Sequence, residues 1–167
     1  MASNVSKVNR VKPIPKGMHT VTPSMTMAGC AKAIDFYKRA LGAEEIDRFM
    51  APDGKSVWHA ALKIGDSVVF MADEMQGMSA PAPGPGRPSP VRIWLYLKDC
   101  DTAYKRALDA GAKAKMPPED MFWGDRCGSV TDPFGYEWTL ATHIKDMTKE
   151  EMRLAGEEFA RKMASGQ

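Results

Sequence analysis

Apolar residues recur along this chain with two periods that take turns. The stretch 19–27 (HTVTPSMTM) puts Val21, Met25 and Met27 on one parity, the period-2 spacing of a strand. Pro23 interrupts it and predicts a bent or edge strand. From Cys30 to Leu41 the spacing becomes helical, with Ala33, Ile34, Tyr37 and Leu41 on one face, and Gly42 stands where a helix C-cap belongs. Three more strands are predicted at 43–50, 56–64 and 67–73, separated by Asp53-Gly54 and Gly65-Asp66 turns. In the middle strand, alternation sends Trp58, Ala60, Leu62 and Ile64 toward the helices. It sends Val57, His59 and Ala61 to the other side.

Residues 75–90 break both periods. Their SAPAPGPGRPSP core suits neither a helix nor a central strand and reads as an exposed linker, with a lid over a site as the functional alternative. The same order then returns. A strand is predicted at 91–98 (VRIWLYLK), and a helix at 102–110 capped by Asp99 or Asp101 and closed by Gly111. A short strand near 112–115, a loop, and strands near 126–131 and 136–142 follow. The tail from Met147 predicts another helix. Thr148 and Glu151 form a capping box, Met147 and Met152 fit a hydrophobic staple, and Met152, Ala155, Phe159 and Met163 form the apolar stripe.

The two halves superpose at an offset of 70, which matches Met27 with Leu97, Cys30 with Cys100 and Gly65 with Gly135. A strand-helix-strand-strand-strand unit used twice is the expectation. The pentapeptide YKRAL also occurs twice, at 37–41 and 104–108, but out of phase with that offset.

Composition narrows the function classes. The 167 residues suit one domain with a proper core. A net charge of +2 without a basic run gives no nucleic-acid signal. No stretch is long and apolar enough for a membrane span, and the N-terminal residues lack a signal-peptide core. Cys30, Cys100 and Cys127 form no CxxC pair and read as reduced thiols. A soluble, cytoplasmic protein is expected.

Three runs, AIDFYKRALGAEEIDRF, WHAALKIGDSVVFMADE and FWGDRCGSVTDPFGYEW, occur in that order. With them the chain resembles the glyoxalase/bleomycin-resistance/dioxygenase superfamily, also called vicinal oxygen chelate, and within it the PhnB-like branch. The resemblance covers about 19–146. It implies an α+β fold in which paired βαβββ modules make a curled eight-stranded mixed sheet around a cup. The expected organisation is a flexible segment at 1–16 and a glyoxalase-like domain at 17–146, with modules about 19–74 and 91–142 and the linker at 75–90. An amphipathic helix at 147–167 ends the chain. The resemblance also implies a ligand in the cup and a homodimer.

Members of the superfamily that hold a metal take one ligand from the first and one from the last strand of each module. Aligned on the quoted motifs, those positions are Thr22 and Thr139, and the offset of 70 adds Arg92 and Val69. This set cannot hold a divalent ion, and Arg92 repels one. No metal and no cofactor are therefore expected. His19, His59 and His143 stand near enough to keep a metal question open.

If the register holds, Arg92, Trp94, Tyr96 and Thr139 point into the cup, His59 does so from the first module, and Trp123 and Arg126 lie at its rim. Aromatic walls with guanidinium groups suit a small aromatic or anionic ligand. The site residues expected to bind it are Thr22, His59, Arg92, Trp94, Tyr96, Trp123, Arg126 and Thr139. Three classes of function stay open. The first is a small-molecule binding protein without a metal site. The second is a metal-dependent lyase, isomerase or dioxygenase. The third is an interaction module that uses the C-terminal helix.

Overall fold

The structure is a computed structural model that describes residues 11–84 and 86–165. The first ten residues of the expected N-terminal segment, Pro85, and residues 166–167 of the expected C-terminal helix lie outside it. Two βαβββ modules follow one another: β1 (Ser24–Met27), α1 (Cys30–Leu41), β2 (Glu44–Met50), β3 (Val57–Ile64) and β4 (Ser67–Asp73), then β5 (Arg92–Tyr96), α2 (Cys100–Asp109), β6 (Lys113–Asp120), β7 (Asp125–Thr131) and β8 (Glu137–His143). A C-terminal helix, α3 (Lys149–Ala164), ends the described chain. The α+β class and the paired modules are those the resemblance implies. The eight strands divide into two four-stranded mixed sheets, ordered β1-β4-β3-β2 and β5-β8-β7-β6. In each sheet the first strand runs parallel to the last, and the remaining pairs are antiparallel.

Local chemistry explains the element ends. Gly42 adopts the left-handed conformation at φ 68° and donates its N–H to the Tyr37 carbonyl, ending α1. The Asp99 side chain accepts from Thr102 N, so α2 starts at Cys100, two residues ahead of the predicted start. The Thr148–Glu151 capping box forms in full. Pro23 keeps β1 to four residues, because it has no N–H for a ladder.

One face of each sheet packs on α1 and α2 in a shared core. Tyr37 and Trp138 are fully buried there, with ring centroids 5.2 Å apart. Asp132 joins them, accepting from Tyr37 Oη at 2.6 Å and Trp138 Nε1 at 2.8 Å. The opposite faces carry no helix of either module.

Two sequence expectations need correction here. Trp58 does not face the helices: it is half exposed, and Val57 is fully buried in its stead. The β2–β3 register shifts between Phe49/His59 and Met50/Val57, and that irregularity flips the parity upstream of His59. The short strand near 112–115 is an eight-residue strand that accommodates Pro117 and Pro118. It lies at the sheet edge and has two register shifts of its own, so missing N–H groups are tolerated. The linker is largely exposed, as expected, and touches the body at one point. Pro83 and Gly84 press on Gly135, where an added Cβ would lie 3.0–3.1 Å from them, and Ala82 is buried.

Candidate ligand-binding site

On the helix-free face of the second sheet, strand alternation sets out a row of side chains. Arg92, Trp94 and Tyr96 project from β5, the parity opposite to the core-packed Ile93 and Leu95. Thr139 from β8 lies beside Trp94 in the parallel β5–β8 register and is buried, its hydroxyl 3.2 Å from that of Ser129 on β7. Trp123, from the β6–β7 loop, completes an aromatic wall. Its ring centroid lies 6.5 Å from that of Trp94, which lies 6.1 Å from that of Tyr96. Trp94 and Tyr96 remain 38% and 65% exposed.

Behind this wall stands Asp125, at the start of β7 and buried. Its Oδ2 accepts from Tyr96 Oη at 2.9 Å and Trp123 Nε1 at 3.0 Å, and its Oδ1 from His143 Nδ1 at 2.7 Å. Burial by itself would raise the Asp125 carboxyl. The bonds from His143, Tyr96 and Trp123 outweigh it and hold the group below the usual carboxylate range. The same bond to Asp125 raises the Tyr96 phenol. His143 is raised by Asp125 and then by Asp146, whose Oδ1 is 3.1 Å from Nε2. A glycine fixes the loop that brings Trp123 in. Gly124 has φ 95°, its carbonyl accepts from Ile144 N and Lys145 N, and an added Cβ would stand 2.2 Å from the Lys145 carbonyl oxygen.

The other expected site residues are dispersed. Arg92 reaches Glu137 at 3.4 Å, and Lys115 bonds the same carboxylate. Arg92 also borders a cavity of about 470 Å3 that the linker prolines Pro81, Pro83 and Pro90 help to line. Thr22 lies just before β1, donates to His19 O, and shares a cavity of about 210 Å3 with Trp94. His59 sits on the first sheet between Phe49 and Phe70, 3.7 Å from Asp47. Arg126 turns to the opposite face of β7. There it is gripped by Asp101 of α2 at 2.7 and 2.8 Å and by Asp120 at 2.8 Å.

The fourth of the metal positions moves. Asp73 Oδ1 accepts from Cys30 N in the first module, and Thr142 Oγ1 accepts from Cys100 N in the second. The last strands therefore correspond one residue short of the offset of 70. Val69 packs in the core, and Phe70 is the counterpart of Thr139. Thr22, Phe70, Arg92 and Thr139 do not fit a divalent ion. Among the described residues no three His, Cys, Asp or Glu side chains gather as one would require.

Sequence reading missed the Asp125–His143 pair as a unit. The parity of Glu137, Thr139, Ala141 and His143 signalled it. However, β8 was expected to stop at 142 and β7 to start at 126, and in the structure the two residues pair across the last rung.

The chain belongs to the Glyoxalase/Bleomycin resistance protein/Dioxygenase superfamily, whose family model matches residues 19–140. It is 38% identical over 138 residues to an uncharacterized protein of Mycobacterium bovis, a match spanning 81% of this chain and 90% of that one. Among solved structures it is similar to TioX from Micromonospora sp. ML1, with TM-score 0.61 and 24% identity over 74% of this chain and 98% of that one. It is also similar to the PhnB protein of Bacillus cereus, with TM-score 0.57 and 16% identity over 74% and 99%. Both structural likenesses bear on the fold alone. No described helix is long and apolar enough to cross a membrane.

Proposed function

We propose that this chain is a PhnB-like, non-metal binding protein that takes a small, flat aromatic or anionic molecule against the helix-free face of its second sheet. The observation that carries this reading is the wall of Trp94, Tyr96 and Trp123, partly exposed and anchored from behind by one buried carboxylate. Rings held at fixed angles, with area still open to water, are suited to stack on a planar ligand. Phe49, Trp58, Trp94 and Tyr96 leave enough apolar surface open to suit a homodimer that closes the cup as well. A reducing, cytoplasmic setting suits three buried free cysteines.

The test combines elemental analysis with a ligand screen. The protein is incubated with nickel, zinc, iron or manganese, desalted, and assayed for metal. It is then screened against aromatic acids and neutral aromatics by tryptophan fluorescence, while light scattering measures its mass. The expected result is no stoichiometric metal, a dimer mass, and ligands whose affinity drops about tenfold or more in Trp94→Ala. One metal per subunit, lost in His59→Ala or His143→Ala, would overturn this reading in favour of a metal-dependent lyase, isomerase or dioxygenase.

A further inference from the structure

The two arginines expected to recognise an anion are both paired with carboxylates. Arg92 shares Glu137 with Lys115, and Arg126 lies behind the sheet between Asp101 and Asp120. His143 is held differently. Asp125 fixes its inward nitrogen, and the same carboxylate holds the indole N–H of Trp123. Imidazole and aromatic wall are thus pinned to one another through two oxygens of a single side chain. The outward nitrogen, Nε2, meets Asp146 Oδ1 at 3.1 Å. Asp146 is fully exposed and sits on the connector between β8 and α3, three residues along the chain from the histidine it meets.

We propose that His143 Nε2–H is an anion-binding donor, that Asp146 occupies its acceptor position as an internal stand-in, and that the ligand is a planar aromatic carboxylate which displaces it. This rests on the ligand-binding reading above and names its ligand class. The ring would lie against Trp123, whose indole shares Asp125 with His143, and the carboxylate would replace that of Asp146 at Nε2. A donor already oriented by a buried carboxylate loses little freedom when it binds, so its bond counts more than that of a loose surface cation. A carboxylate tethered three residues away competes through its effective concentration, so removing it should strengthen binding.

The charged groups that meet His143 are Asp125 from β7, which also accepts from Tyr96 of β5, and Asp146 on the connector, where the neighbouring Lys145 turns to Glu151 of α3. Asp125 first, and then Asp146, raises the imidazole. A raised histidine is charged below its folded pKa and neutral above it. Benzoate binding is therefore held at lower pH and weakens as pH rises through that value.

The experiment titrates benzoate and neutral benzamide, by tryptophan fluorescence, into the full chain and its Asp146→Asn and His143→Gln variants, with circular dichroism checking the fold. The expected result is benzoate binding about fivefold tighter in Asp146→Asn and about tenfold weaker in His143→Gln, with benzamide alike in the wild type and Asp146→Asn. Benzoate binding no tighter in Asp146→Asn would overturn the inference, and that exposed variant keeps the test alive should His143→Gln misfold. Equal binding of both probes in every variant would sink the anion site and leave the aromatic-wall reading standing. If neither probe bound at all, this inference would fall, and the aromatic-wall reading would stand or fall on the wider screen above.

Discussion

Asp132 accepts from four donors: Tyr37 Oη, Trp138 Nε1, and the backbone N–H groups of Phe134 and Tyr136. It is buried, and so are its bonds from Tyr37, Trp138 and Tyr136, so removing the carboxylate would strand those donors. The run DPFGYEW thus encodes a structural hub rather than part of the candidate site. Burial raises the Tyr37 phenol well above its usual value, and the Asp132 charge beside it adds to the effect. We expect Asp132→Ala to cost about 3 kcal/mol or more, since it strands buried donors, and Tyr37→Phe to cost about 2 kcal/mol by removing one charge-assisted bond. Urea unfolding monitored by fluorescence checks both. Equal stability of Asp132→Ala and wild type would show that the hub is not needed. From the sequence the motif was legible as a turn leading into a strand. Its partner Tyr37 was not, because a contact spanning 95 residues leaves no local period.

Among the elements, α3 stands apart. It has a complete capping box and a ladder of Glu–Arg and Glu–Lys pairs at helical spacing, yet no residue in it is buried. Its contact with the body includes Phe159 tilted against Phe122, ring centroids 5.1 Å apart, and Gly156, where an added Cβ would lie 3.5 Å from the Phe122 ring. Capping and surface pairs give a helix its existence, and apolar burial gives it a fixed place. We expect a chain ending at Met147 to keep its thermal midpoint within a few degrees. In the full chain, α3 amides should exchange with solvent well before those of β3 and β8. A large fall in the midpoint on truncation would mean that α3 is packed in solution, for instance against a second copy. The helix itself was legible from Thr148 and Glu151, which act within one turn. Its weak attachment was not, because an apolar stripe looks the same whether or not something covers it.

At the scale of the whole molecule, the two modules share one core. Tyr136 Oη donates to Thr26 O at 2.9 Å, Arg106 Nε donates to Ala40 O at 2.9 Å, and Phe134 from the second module packs on Phe36 and Tyr37 of the first. Helix α1 lies on the first sheet and α2 on the second, and the two helices pack against each other. We therefore expect residues 1–90 alone to give no cooperative thermal transition, and the full chain to unfold in one step when followed by near- and far-ultraviolet circular dichroism. Two separate transitions in the full chain would show instead that the modules are independent.

What the sequence determined by itself was whatever acts over a turn or a pleat. Gly42 ends α1, Thr148 starts α3, alternation puts Trp94 and Tyr96 on one side of β5, and the motif order gives the module repeated twice. The tertiary structure decided what depends on register between strands. A single irregularity opposite Val57 turned Trp58 outward, and a one-residue slip between modules made Phe70 rather than Val69 the counterpart of Thr139. The pairing of β7 with β8 brought Asp125 to His143. The physical reason is the two-residue period of a strand. One added residue moves every side chain beyond it to the other face, and the chain shows such a residue only once its neighbour is in place.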